Sequence, residues 1–153
     1  MMKVSLDELI SAIGFQSDEA YGYIDKRTNA VCLISDEVLA IAEEGNEDYP
    51  DWMTEDVELA RAYLNNPDNF VALPSQYDVN EYRMMEEFAH SLNNEDNAQR
   101  LLIALSGKGA FRRFKDTINA LNLSNDWYTF KDTQYAAFIK RWYEQQDIML
   151  DFE

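Results

Sequence analysis

Leu6, Leu9, Ile10 and Ile13 share one face of a 3.6-residue period, and the stripe stops at Gly14. Ser5 precedes it with Glu8 three residues on, the spacing of a capping box, so the pattern predicts a first helix. The period then shortens. Residues 20–25 (AYGYID) and 30–34 (AVCLI) are rich in β-formers and enclose Lys26-Arg27-Thr28-Asn29, which predicts an antiparallel hairpin with Asn29 as its left-handed turn residue. Ser35 or Asp36 caps a short helix carrying Val38, Leu39, Ile41 and Ala42. Residues 43–51 hold Glu43, Glu44, Glu47, Asp48 and Asp51 and read as an exposed, removable loop, with Trp52 anchoring its end in the core. A helix from Thr54 turns Val57, Leu59, Ala60, Tyr63 and Leu64 inward and ends at Asn65-Asn66-Pro67. Residues 70–74 (FVALP) form a short strand suited to join the hairpin.

From residue 78 the pattern is helical. Residues 78–92 place Tyr82, Met85, Phe88, Ala89 and Leu92 on one side, residues 93–96 interrupt, and residues 98–105 resume. After the turn around Gly107, a helix over residues 110–121 aligns Phe111, Phe114, Ile118 and Leu121. A turn at residues 122–126 precedes Trp127-Tyr128-Thr129-Phe130 and a last helix with Tyr135, Phe138, Ile139, Trp142 and Tyr143. The short connection favours antiparallel packing, so Phe111, Phe114, Ile118, Phe138, Ile139 and Trp142 are expected to share a core.

The stretch Gly107-Lys108-Gly109-Ala110-Phe111-Arg112-Arg113-Phe114-Lys115-Asp116 carries the candidate chemistry. Gly107 stands where a helix C-terminus needs positive φ, and Gly109 where the next helix starts. Two readings remain open. Arg112 and Arg113 pair locally with Asp116 on a helix surface. Alternatively, Gly107, Lys108, Gly109, Arg112 and Arg113 form an anion site, since free N–H groups and cations at a helix start attract negative charge. The sequence contains no GxxxxGK[ST] phosphate loop and no GxGxxG.

Charge changes the partner classes. Net charge is −16; residues 1–100 carry 6 Lys+Arg against 22 Asp+Glu, and residues 101–153 carry 7 of each. Such a chain repels duplex DNA, while a protein partner, a small anion or a single-stranded nucleic acid remain open. No apolar run approaches the roughly 18–20 residues of a membrane span, and no secretory leader is apparent. The single cysteine, Cys32, excludes an internal disulfide framework and suits a reducing cytoplasm. The single histidine, His90, sits one helical turn after Glu86 with no second histidine or cysteine near it, so it reads as a helix-surface residue rather than a metal ligand. Cys32, among apolar strand residues, reads as a small buried side chain. No residue set is assigned to catalysis, to a metal or to a cofactor.

Four blocks resemble a known group: Tyr23-Ile24-Asp25 through Asn29; Leu73-Pro74 through Met85-Glu86-Glu87-Phe88; the 107–116 stretch; and Trp127-Tyr128 with Trp142. Together they resemble the uncharacterised protein family 0158. The family usually has Gly where Asn29 stands, and Asn keeps a turn tolerant of left-handed backbone. The resemblance implies a small bacterial cytoplasmic protein without an assigned activity, and it supplies no catalytic residues.

The expected architecture is α+β: a small antiparallel sheet, hairpin plus one short strand, in the first half and a mainly helical second half. The chain is expected to form one domain with room for two lobes, about 1–75 and about 76–153. The expected function is a non-catalytic binding or regulatory module. The alternative is a nucleic-acid- or phosphate-binding protein using residues 107–115.

Overall fold

Local signals fix most of the element boundaries. The Ser5 hydroxyl accepts the Glu8 amide at 3.3 Å, and the Ser35 hydroxyl accepts the Val38 amide at 3.2 Å, each satisfying a donor that a helix start leaves without a partner. The structure, a computed structural model, describes residues 1–153. It is an α+β fold with two compact units, Met1–Gln76 with Lys140–Glu153, and Tyr77–Ile139.

The first unit holds β1 (Met2–Val4), α1 (Leu6–Phe15), β2 (Ala20–Asp25), β3 (Ala30–Ser35), α2 (Asp36–Glu44), α3 (Thr54–Asn65), β4 (Phe70–Ala72) and β5 (Leu150–Phe152). A three-stranded antiparallel sheet runs in the order β3-β2-β4, with Tyr23 opposite both Cys32 and Ala72. Asn29 takes the left-handed conformation (φ 62°), as the hairpin requires. Gly22 is constrained by space: a Cβ there would lie 2.5 Å from Leu73 Cδ1. Gln16 joins this point to the next turn, accepting the Gly22 amide at 2.9 Å and donating to the Pro74 carbonyl at 2.9 Å. α2 and α3 cover the sheet, with Val38, Val57 and Ala60 clustered with Ile34 of β3 and with Met53 just before α3, and Tyr23 and Tyr63 packed alongside. α1 packs against β2 and β3, burying Leu9, Ala12 and Ile13.

Two features of this unit depart from the sequence expectation. Trp52 is 77% exposed, so it is no anchor. Tyr49 packs on the core instead, and Arg61 lies over its ring while donating to the Asn46 carbonyl at 3.3 Å. The acidic loop is therefore tethered at its middle, and removing residues 43–51 would strip a core contact. A parallel pair, β1 with β5, also joins the chain ends; its three-residue strands are too short to show a period.

The second unit contains α5 (Glu81–Ser91), α6 (Glu95–Ala104), α7 (Ala110–Ala120) and α8 (Ser124–Glu144) as far as Ile139; a short α4 (Gln76–Val79) leads into it. The helix expected over 78–92 is split because Asn80 adopts φ 57° and its side chain accepts the Arg83 amide, capping α5. α8 begins at Ser124, so Trp127 to Phe130 are helical rather than a connecting segment. Phe88, Phe114 and Trp127 form an aromatic cluster, with the Phe114–Trp127 ring centroids 5.0 Å apart at 75°. Of the six residues expected to share a core, Phe114, Ile118 and Ile139 are buried, Phe138 and Trp142 are half-buried, and Trp142 belongs to the first unit. The sixth, Phe111, is 50% exposed, in the first turn of α7, and its ring partner is the partly exposed Tyr82.

Candidate functional site

The 105–113 turn is built around Arg113. Leu105 ends α6, and Gly107 (φ 75°) and Gly109 (φ 74°) reverse the chain into α7. Arg113 Nε donates to the Ala104 carbonyl at 3.0 Å. Its Nη1 and Nη2 donate to the carbonyls of Lys108 and Ser106. One guanidinium thus satisfies acceptors that the end of α6 and the loop would otherwise leave to water, through the fixed donor fork that only arginine carries. Gly109 takes a positive φ that favours glycine, and a Cβ there would lie 3.2 Å from Arg113 Nη1, close enough to press on the guanidinium.

This geometry divides the five residues named from the sequence. Gly107 and Gly109 shape the backbone, and Arg113 is committed to carbonyls rather than to Asp116. Lys108 and Arg112 are exposed and take part in none of the salt bridges, which engage Arg27, Arg61, Arg83 and Lys131. No acid lies in the first turn of α7, and its N-cap, Gly109, supplies no side-chain acceptor. Beside these cations stand the half-exposed Phe111 and, in contact with it, Tyr82, whose hydroxyl donates to the Leu105 carbonyl at 2.9 Å. Sequence reasoning missed Tyr82: its spacing on α5 marks it as core, and only the fold brings it to the end of α6.

The remaining reactive side chains lie elsewhere. Cys32 is half-buried, its Sγ 3.5 Å from the Tyr23 carbonyl, and burial followed by the nearby Asp25 charge pushes the thiol up to about 11. It is therefore protonated near neutral pH and a poor nucleophile there. His90 is exposed in the last turn of α5. The ion pair along that helix joins Arg83, in its first turn, to Glu87 at 3.3 Å. Asp25 is buried at the hairpin turn, where Arg27 binds it in a fork (Nε–Oδ1 3.0 Å, Nη2–Oδ2 2.9 Å) and holds its carboxyl below the usual range.

The blocks singled out in the sequence are thus the hairpin turn, the start of α5, the Arg113-closed turn and the aromatic residues of α8. The profile of the Uncharacterised protein family (UPF0158) matches residues 1–153, the whole chain. The chain belongs to UPF0158. No curated protein matches it, and no solved structure does. Within this UPF0158 chain, no helix is long and apolar enough to cross a membrane.

Proposed function

We propose that the chain is a non-catalytic binding module of a bacterial cytoplasm, and that the Arg113-closed turn presents its contact surface to a protein partner. The observation that carries this reading is the exposure of Lys108, Phe111 and Arg112 along a turn and helix start held by Arg113, with the Tyr82 ring of α5 against Phe111. A rigid platform loses little conformational entropy on binding. Aromatic and arginine side chains at the centre of a contact carry most interface energy. The partner chemistry that fits is an acidic segment with an apolar residue between its carboxylates. The test is co-purification from the native host, with wild type compared against Lys108→Ala/Arg112→Ala by quantitative mass spectrometry. The reading predicts one or a few proteins lost with the double variant while its melting temperature is unchanged; equal recovery by both chains would overturn it.

A second reading, a compact phosphate or nucleotide at Lys108 and Arg112, is favoured by the acid-free first turn of α7 and by its uncapped start. Arg113 takes no part in it. Titration of amides 107–112 with inorganic phosphate, a nucleoside triphosphate and a short single-stranded RNA at two salt concentrations tests this reading. The compact anions should bind better than the RNA, because a chain of net charge −16 opposes a long polyanion. Shifts that vanish in the single variant Arg112→Ala support it, and shifts that are unchanged there exclude it.

A further inference from the structure

We propose that the free edge of β3 is a docking site at which an extended basic segment of another protein adds as a fourth strand. This surface lies in the first unit, independent of the 105–113 turn.

β3 pairs with β2 alone and forms one edge of the sheet. The ladder phase follows from the Asp36 amide bonding the Glu19 carbonyl at 2.8 Å. Alternation from that pair directs Ala30, Cys32 and Ile34 toward β2 and leaves the N–H and C=O groups of Val31 and Leu33 pointing outward. Edges are ordinarily protected by lysine, proline, a bulge or a covering element. β3 reads Ala-Val-Cys-Leu-Ile-Ser and contains neither a charge nor a proline.

The edge also opens onto a groove of about 370 Å³ between α1 and β3. Its apolar lining includes Ala12, Phe15, Val31 and Leu33, and its rim carries Asp7 and Glu8. Phe15 is 73% exposed there. An incoming strand would place alternate side chains over Val31 and Leu33 against Phe15, while its backbone took up the outward groups, the arrangement of strand addition.

Charge selects the occupant. The first unit carries 6 Lys+Arg and 20 Asp+Glu, a net −14. A second copy pairing β3 to β3 would bring two such units and two acidic rims together. A segment alternating apolar and basic residues gains from the same field, with its apolar side in the groove.

The probe is an acetylated, amidated octapeptide of alternating valine and lysine, added to the full chain and followed by backbone amide shifts. Shifts and slowed exchange at Val31 and Leu33 are expected, with Phe15→Ala weakening binding by about tenfold and Asp7→Asn/Glu8→Gln weakening it further at low salt. All of these positions except the two strand residues are exposed, so the variants keep the fold. In antiparallel addition the residues opposite Val31 and Leu33 both share their face and exchange their hydrogen bonds. Methylating the valine nitrogens should therefore abolish binding, whereas methylating the lysine nitrogens should leave it. Three results would overturn the proposal: equal binding of both methylated peptides, equal binding of a valine–glutamate octapeptide, or a peptide-free dimer in which the Val31 and Leu33 amides are already shifted.

Discussion

Arg113→Ala and Arg112→Ala remove the same side chain from adjacent exposed positions, and the two should differ sharply in stability. Arg113 donates to three backbone carbonyls, at Ala104, Ser106 and Lys108. A hydrogen bond from a charged donor contributes about 1.5–3 kcal/mol where water is excluded. Here water can replace the lost donors, so the three bonds together should contribute about 1–2 kcal/mol. Arg112 makes no salt bridge, and its removal should fall within about 0.5 kcal/mol of wild type. Urea unfolding followed by far-UV circular dichroism measures both. Hydrogen exchange locates the effect: the amides of Leu105 and Ser106, bonded to Leu101 and Ile103 carbonyls at 3.1 Å each, should lose protection only in Arg113→Ala. Arg113→Lys should recover less than half of the loss, because an ammonium cannot span three carbonyls in the plane of a fork. Gly109→Ala should cost about 1–2 kcal/mol through its left-handed backbone, with crowding of Arg113 Nη1 added. If Arg113→Ala and Arg112→Ala unfold at the same urea concentration, the turn is not held as described.

Phe114→Ala should cost about 3–5 kcal/mol by urea titration, as truncation of a fully buried aromatic does, against less than about 1 kcal/mol for the half-exposed Phe111→Ala. Asp25 has its carboxyl held below the ordinary 3.8 by the Arg27 fork. Its stabilisation is therefore complete above that ordinary value and is lost as pH falls through the lower folded value. Asp25→Asn should melt below wild type at pH 7, with the gap closing in acid; a gap independent of pH would show that the charge plays no part. Cys32, with its thiol pushed up to about 11, should resist iodoacetamide at pH 7.5 in the folded chain and react at the normal rate once unfolded in urea. Fast labelling of the folded chain would contradict the burial assigned to it.

What the sequence revealed, and what it concealed, follows the range of the interactions. The hairpin, Asn29 and the cap at Ser5 depend on residues a few positions apart and were legible, and the second cap was narrowed to Ser35 or Asp36. The stripes of α7 and α8 correctly marked Phe114, Ile118 and Ile139 as buried. Phe111 lay on the same stripe but at the first turn, where burial depends on what a neighbouring helix supplies, and its ring partner there is the partly exposed Tyr82. Trp52 and Tyr49 flank Pro50 with similar apolar character, and nothing local says which one turns inward. β1 and β5 come from opposite ends of the chain and are three residues each, so neither period nor proximity betrays them. At the candidate site, the cation cluster was visible but its division was not. Arg113 is claimed by backbone carbonyls, which every residue has, while Lys108 and Arg112 remain at the surface.

Site-specific photo-crosslinking tests the binding reading most directly. A benzoylphenylalanine placed at Phe111 sits within the proposed contact, and one at Tyr128 sits on α8 with similar exposure, 50% against 55%. Irradiated in cells of the native host, the Phe111 position is predicted to give a discrete adduct with one protein that disappears in the Lys108→Ala/Arg112→Ala background, while the Tyr128 position gives none. An adduct from Tyr128 as strong as that from Phe111, or one from Phe111 that survives loss of both cations, would contradict the account.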